Sequence, residues 1–64
     1  MLIRLHDPDR QIELLVFLRN SGIFALERVE GDTIRVFDVD AARLREVIAT
    51  WEAMDPGNLV DLEP

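Results

Sequence analysis

The stretch ALERVEGDTIRVF, Ala25 to Phe37, decides the fold. Residues suited to strands lie on both sides of Gly31-Asp32, a pair that reverses the chain between neighbouring strands. Strand two is read over Ile23 to Glu30 and strand three over Thr33 to Val39. Two registers compete. A tight turn sets Val29 and Ile34 on one face but places Arg28 opposite Arg35. A longer turn with a bulge over Glu30-Gly31-Asp32 gathers Phe24, Leu26, Ile34 and Val36 on one face and sets Glu27 opposite Arg35. Opposite charges attract across a ladder and like charges repel, so the second register is the expectation.

Working outward, each side of this hairpin carries a helix and then a strand. Towards the N-terminus, Met1 to His6 alternates, with Met1, Ile3 and Leu5 on one face. Asp7-Pro8-Asp9 then starts a helix. A carboxylate at the cap accepts from free backbone N–H groups, and proline in the first turn has no N–H to lose. Gly22 ends that helix, because glycine takes the left-handed conformation at little cost. The first helix is thus predicted over Pro8 to Ser21, with Leu14, Phe17, Leu18 and Ser21 towards a core. Towards the C-terminus, Asp38 or Asp40 caps a second helix whose apolar positions are Leu44, Val47, Ile48, Trp51 and Met54. That spacing is one continuous stripe. Trp51, the only tryptophan, is therefore read as a core residue rather than a ligand platform. Asp55-Pro56-Gly57 stops the helix, and Asn58 to Glu63 forms a last strand with Val60 and Leu62 on one face.

Strand, helix, strand, strand, helix, strand is the split βαβ, or ferredoxin-like, arrangement. The expected fold is an α+β sandwich over residues 1–64: a four-stranded antiparallel sheet in the order 4-1-3-2, with both helices on one face. The short motifs Phe17-Leu18-Arg19 with Gly22, and Trp51-Glu52-Ala53-Met54 with Pro56-Gly57, resemble those of a family of short bacterial proteins of unassigned function. This chain is shorter than that family between the third strand and the second helix. The resemblance implies no activity.

Composition narrows the function. The chain has 64 residues, 48% of them hydrophobic, and no cysteine. Disulfides, thiolate metal sites and the paired-cysteine chemistry of metallochaperones are excluded. A chain this small buries little surface and gains from association. The net charge of −6 repels phosphate backbones and anionic lipid, so neither nucleic acid nor membrane is an expected partner. No apolar run is long enough to span a bilayer, and no basic-then-apolar leader opens the chain. A cytoplasmic protein without a cofactor is the expectation. The isolated glycines make no phosphate loop. Ser21 and His6 fall at opposite ends of the sheet, which removes a Ser-His-Asp arrangement.

Three features remain. Strands one and three are read as adjacent and parallel, which would bring His6, Asp7 and Asp9 beside Asp38 and Asp40. Such a carboxylate cluster would suit a hard divalent cation, although helix capping alone accounts for these aspartates. The first helix is apolar nearly all round from Ile12 to Leu18, which leaves Ile12, Leu15 and Val16 outside the core stripe as interface residues. The open face of the sheet carries Leu2 and Phe37 among charged residues, and a second copy could cover it. The leading expectation is a non-enzymatic interaction module that forms a homodimer, or docks another protein, through the first helix or the open sheet face. Three other readings stand beside it: an amino-acid-sensing type of regulatory domain with ligand near the loops after strands one and three, a divalent-metal-binding module, and a designed scaffold without biological function.

Overall fold

A computed structural model describes all 64 residues. The elements are β1 (Leu2–Leu5), α1 (Gln11–Asn20), β2 (Leu26–Glu30), β3 (Thr33–Val36), α2 (Ala41–Met54) and β4 (Val60–Glu63). The sheet runs β2-β3-β1-β4 and every pairing is antiparallel. Both helices cover one face. The fold is ferredoxin-like, in the strand order expected from the element sequence.

Local chemistry explains where the helices begin and end. Asp7 is extended and its carboxylate accepts from Asp9 N at 3.1 Å, opening a 3-10 turn over Pro8–Arg10 that leads into α1. At the other end Gly22 has φ 88 and donates to Arg19 O, while Ile23 N donates to Leu18 O, both at 3.0 Å. This is the Schellman arrangement, in which a left-handed residue lets two later N–H groups satisfy the last carbonyls. Asp40, not Asp38, caps α2, accepting from Ala42 N at 3.3 Å. Asp38 instead adopts φ 50, the left-handed region, and β3 ends at Val36, three residues early.

The core joins both layers. Ile3, Leu5, Ile34 and Val36 from the sheet meet Leu14, Leu15 and Leu18 from α1 and Leu44, Val47, Ile48 and Trp51 from α2, with Ile23 beside them. Phe17 closes over Trp51 with ring centroids 5.4 Å apart and planes tilted by 45°. Two of the core assignments from sequence are corrected. Met54 is 62% exposed, because α2 is about 20 Å long against about 13 Å for a four-residue strand, and its last turn overhangs the sheet. Phe24 is 75% exposed. The strand starts only at Leu26, whose N–H turns back to Phe24 O at 3.0 Å, so the period of two does not extend to Phe24.

The hairpin register is the attractive one, with Glu27 opposite Arg35 and Leu26 opposite Val36. The bulge lies elsewhere. Arg28 pairs with Ile34 and Glu30 with Thr33, which leaves Val29 as the extra residue inside β2 and Gly31-Asp32 as the turn. Gln11 holds this end of the hairpin. It is buried, its amide donates to Glu30 O and to Thr33 O (3.0 Å), and its amide oxygen accepts from Arg28 Nε at 2.7 Å.

Strands β1 and β3 are adjacent but antiparallel, which corrects the parallel reading. The crossover through α1 makes β2 parallel to β1, and the hairpin then reverses β3. The loop after β1 therefore leaves from the end where Leu5 N meets Asp32 O, and the loop after β3 leaves from the end where the Met1 amino group meets Val36 O.

Candidate functional site

Antiparallel strands separate the acidic residues into two unrelated groups. His6, Asp7 and Asp9 lie at one end of the sheet, Asp38 and Asp40 at the other, and no three of the chain's acidic or histidine side chains are placed to hold one ion. His6 Nε2 is 3.1 Å from Asp61 on β4. Asp7 caps its turn and pairs with Arg10 at 3.2 Å, Asp9 is exposed, and Asp40 caps α2. The same geometry separates the two loops between which a regulatory ligand was placed.

The group around Arg10 is an interdomain-like strut within one small fold, and the sequence reading did not anticipate it. Arg10 Nε donates to Asp7, and Nη1 donates to Asn58 Oδ1 at 2.8 Å and lies 3.4 Å from Asp55 Oδ1. The Asp7 hydrogen bond is the main cause holding the Arg10 guanidinium above its ordinary pKa, followed by the charge of Asp55. The two Asp-Pro turns are alike: each aspartate accepts from the N–H two residues on, and each closes with a backbone bond three residues on. Asn58 extends the link inwards, donating to Trp51 O at 2.9 Å. A Cβ on Gly57 would stand 2.9 Å from Arg10 Cζ, so glycine is what lets the guanidinium lie against that turn. These contacts are satisfied internally, and their work is to tie the start of α1 to the end of α2.

The open sheet face is likewise paired with itself. Arg4 meets Glu63 at 3.0 Å, His6 meets Asp61, and Arg35 lies 3.9 Å from Glu27. The hydrogen bond from Glu63 raises the Arg4 pKa above its ordinary value. Exposed pairs of this kind contribute little, about 0–1 kcal/mol each, but a partner would have to desolvate all of them. Leu2 is half-buried in their midst.

Besides Val29, Met54 and Leu59, which are exposed singly, apolar side chains reach solvent in two pairs. On α1, Ile12 and Val16 are 53% and 49% exposed, on the side opposite Leu14 and Leu18. Leu15, read from sequence as a third interface residue, is only 7% exposed and belongs to the core. A small domain widens the buried stripe of its helix, and Leu15 is on the widened edge. At the end of the sheet beyond β3, Phe24 and Phe37 border a cleft of about 580 Å³ shared with Asp38, Val39, Asp40 and Arg43. Arg43 Nη2 donates to Ser21 O at 3.0 Å. These two residues divide this cleft from a smaller one of about 410 Å³ between the helices, beside Phe17, Val47 and Thr50. Phe24 escaped the sequence reading because alternation assigned it to the core.

No helix is long and apolar enough to cross a membrane. Comparison with protein-family models, with curated proteins and with solved structures returns no match. The resemblance carried by Trp51 to Gly57 and by Phe17 to Gly22 therefore rests on those residues alone.

Proposed function

We propose that this chain is a non-enzymatic interaction module that pairs with a second copy of itself across the outer ridge of α1. The observation that carries this reading is the exposed pair Ile12 and Val16, four residues apart and so aligned along the helix. A two-fold contact must be self-complementary. Two α1 helices crossing antiparallel about the midpoint of the ridge would set Ile12 of one copy beside Val16 of the other. The same operation would place Arg19 near Asp9 of the other copy, twice over. Asp9 and Arg19 are both exposed, so the ends of the ridge carry opposite charges where the axis calls for them.

The open sheet face fits this role less well, because Arg4 and Arg35 already pair with Glu63 and Glu27 and His6 already hydrogen-bonds Asp61. Magnitude sets the strength. Covering a half-exposed Ile or Val side chain stabilises by about 1 kcal/mol. Four such side chains and two exposed ion pairs contribute roughly 4–6 kcal/mol, and the lost freedom of the two copies costs at least about 4 kcal/mol, so the dimer should be populated only towards millimolar concentration. Sedimentation equilibrium from micromolar to millimolar concentration tests this. A weak dimer is expected, Val16→Glu should abolish it, and Arg19→Asp should weaken it. Combining Arg19→Asp with Asp9→Arg should restore it. A chain that remains monomeric throughout that range would remove the reading.

A further inference from the structure

The α1 ridge leaves the other exposed apolar group without a use. Phe24 is the most exposed of the large hydrophobic side chains, and it contributes almost nothing to the core. It stands at the mouth of a cleft with Phe37 and two carboxylates, Asp38 and Asp40. Asp38 is the chain's one non-glycine residue with positive φ, and it forms no salt bridge with any side chain of the protein. The cation of the cleft, Arg43, is committed to the Ser21 carbonyl. The cleft thus combines exposed aromatic surface with two carboxylates against one guanidinium, whose charge the bond to a neutral carbonyl leaves in place, so its side chains carry a net negative charge.

We infer that this cleft docks an arginine- or lysine-bearing segment of a partner protein. Aromatic rings attract cations through their faces, and apolar stems of long basic side chains pack on the same surface. Asp38, which forms no ion pair within the protein, supplies the countercharge, with the capping carboxylate of Asp40 lining the same cleft. The volume of about 580 Å³ is in the range that accommodates side chains and small ligands. The net charge of −6 concentrates basic partners around the whole molecule. A second copy is a poor occupant, since it brings the same net charge to a cleft that already holds two carboxylates. The site is separate from the α1 ridge and does not depend on it.

The test is an NMR titration of the labelled protein with a short amidated peptide alternating arginine and leucine, and with its glutamate counterpart. Saturable shifts are expected at the amides of Phe24, Ala25, Phe37, Asp38 and Arg43 with the arginine peptide only. Asn tolerates the left-handed conformation of residue 38 and caps a helix as well as Asp. The double change Asp38→Asn with Asp40→Asn should therefore keep the fold and weaken binding about tenfold, the factor that two partly exposed ion pairs supply. Phe24→Ser should weaken binding while leaving the melting temperature unchanged. Three results would each overturn the inference: no saturable shift at millimolar peptide, shifts centred elsewhere, or equal binding of the glutamate peptide or by the Asn variant.

Discussion

Replacing Gln11 by Met tests whether a buried amide holds the hairpin in register. The side chains are similar in length, so the change keeps the packing and removes the hydrogen bonds. Gln11 makes two bonds to hairpin carbonyls and one with Arg28. The Thr33 carbonyl bond is buried, and a buried acceptor left without a donor costs about 1–3 kcal/mol. The other two lost bonds are only part-buried. Water can replace them, so they cost about 0.5–1.5 kcal/mol each. The more apolar methionine returns roughly 1 kcal/mol. The net loss should be about 3 kcal/mol, the middle of a span of about 1–5 kcal/mol, a large share of the roughly 3–10 kcal/mol that a chain of this size possesses. Urea denaturation reads it directly: with a slope near 1 kcal/mol/M, the midpoint should fall by about 3 M. Amide exchange of the β2–β3 hairpin should accelerate more than that of β1 and β4. A loss below about 0.5 kcal/mol, with unchanged hairpin protection, would show that the amide merely fills space.

Trp51 carries an indole N–H that is buried and without a partner. Trp51→Ala should cost about 3–5 kcal/mol, but Trp51→Phe removes the orphaned donor along with part of the ring, and calorimetry should find it costing under half as much. Gly57→Ala should displace the Arg10 guanidinium, because the new Cβ would meet it at 2.9 Å. Gly57→Ala and Arg10→Ala should then be non-additive in a double-mutant cycle, and full additivity would show that Arg10 is not held against this turn.

The order of elements was legible because its signals are local. Asp7, Gly22 and Asp55-Pro56 act through hydrogen bonds to residues two to four positions away, and the apolar stripe ending at Trp51 needs only the helical period. The hairpin register was legible for a related reason: of the two registers that compete around Gly31-Asp32, one sets Glu27 opposite Arg35 and the other sets two arginines opposite each other. The position of the bulge was not, because it depends on what Arg28 and Gln11 do across the layer.

Long-range placement was beyond those signals. Arg10 and Asn58 are 48 residues apart, and nothing in either neighbourhood announces the other. Alternation assigned Phe24 to the core, yet a period of two holds only while a strand is paired, and the ladder starts at Leu26. Helical spacing put Leu15 outside, but the width of the buried face is set by how the sheet and α2 close around α1. By itself the sequence determined the order of elements, the Asp7 cap and the Gly22 stop of the first helix, the fold they compose and the exposure of Ile12 and Val16, while the choice of Asp40 over Asp38 as the second cap was left to the structure. The opposite run of β1 and β3, which parts the acidic loops, already follows from the crossover and the hairpin, whereas only the tertiary structure decided that two phenylalanines share a cleft with Asp38 and Asp40. Local hydrogen bonding is written in neighbouring residues, whereas the meeting of distant surfaces is decided by how the layers pack.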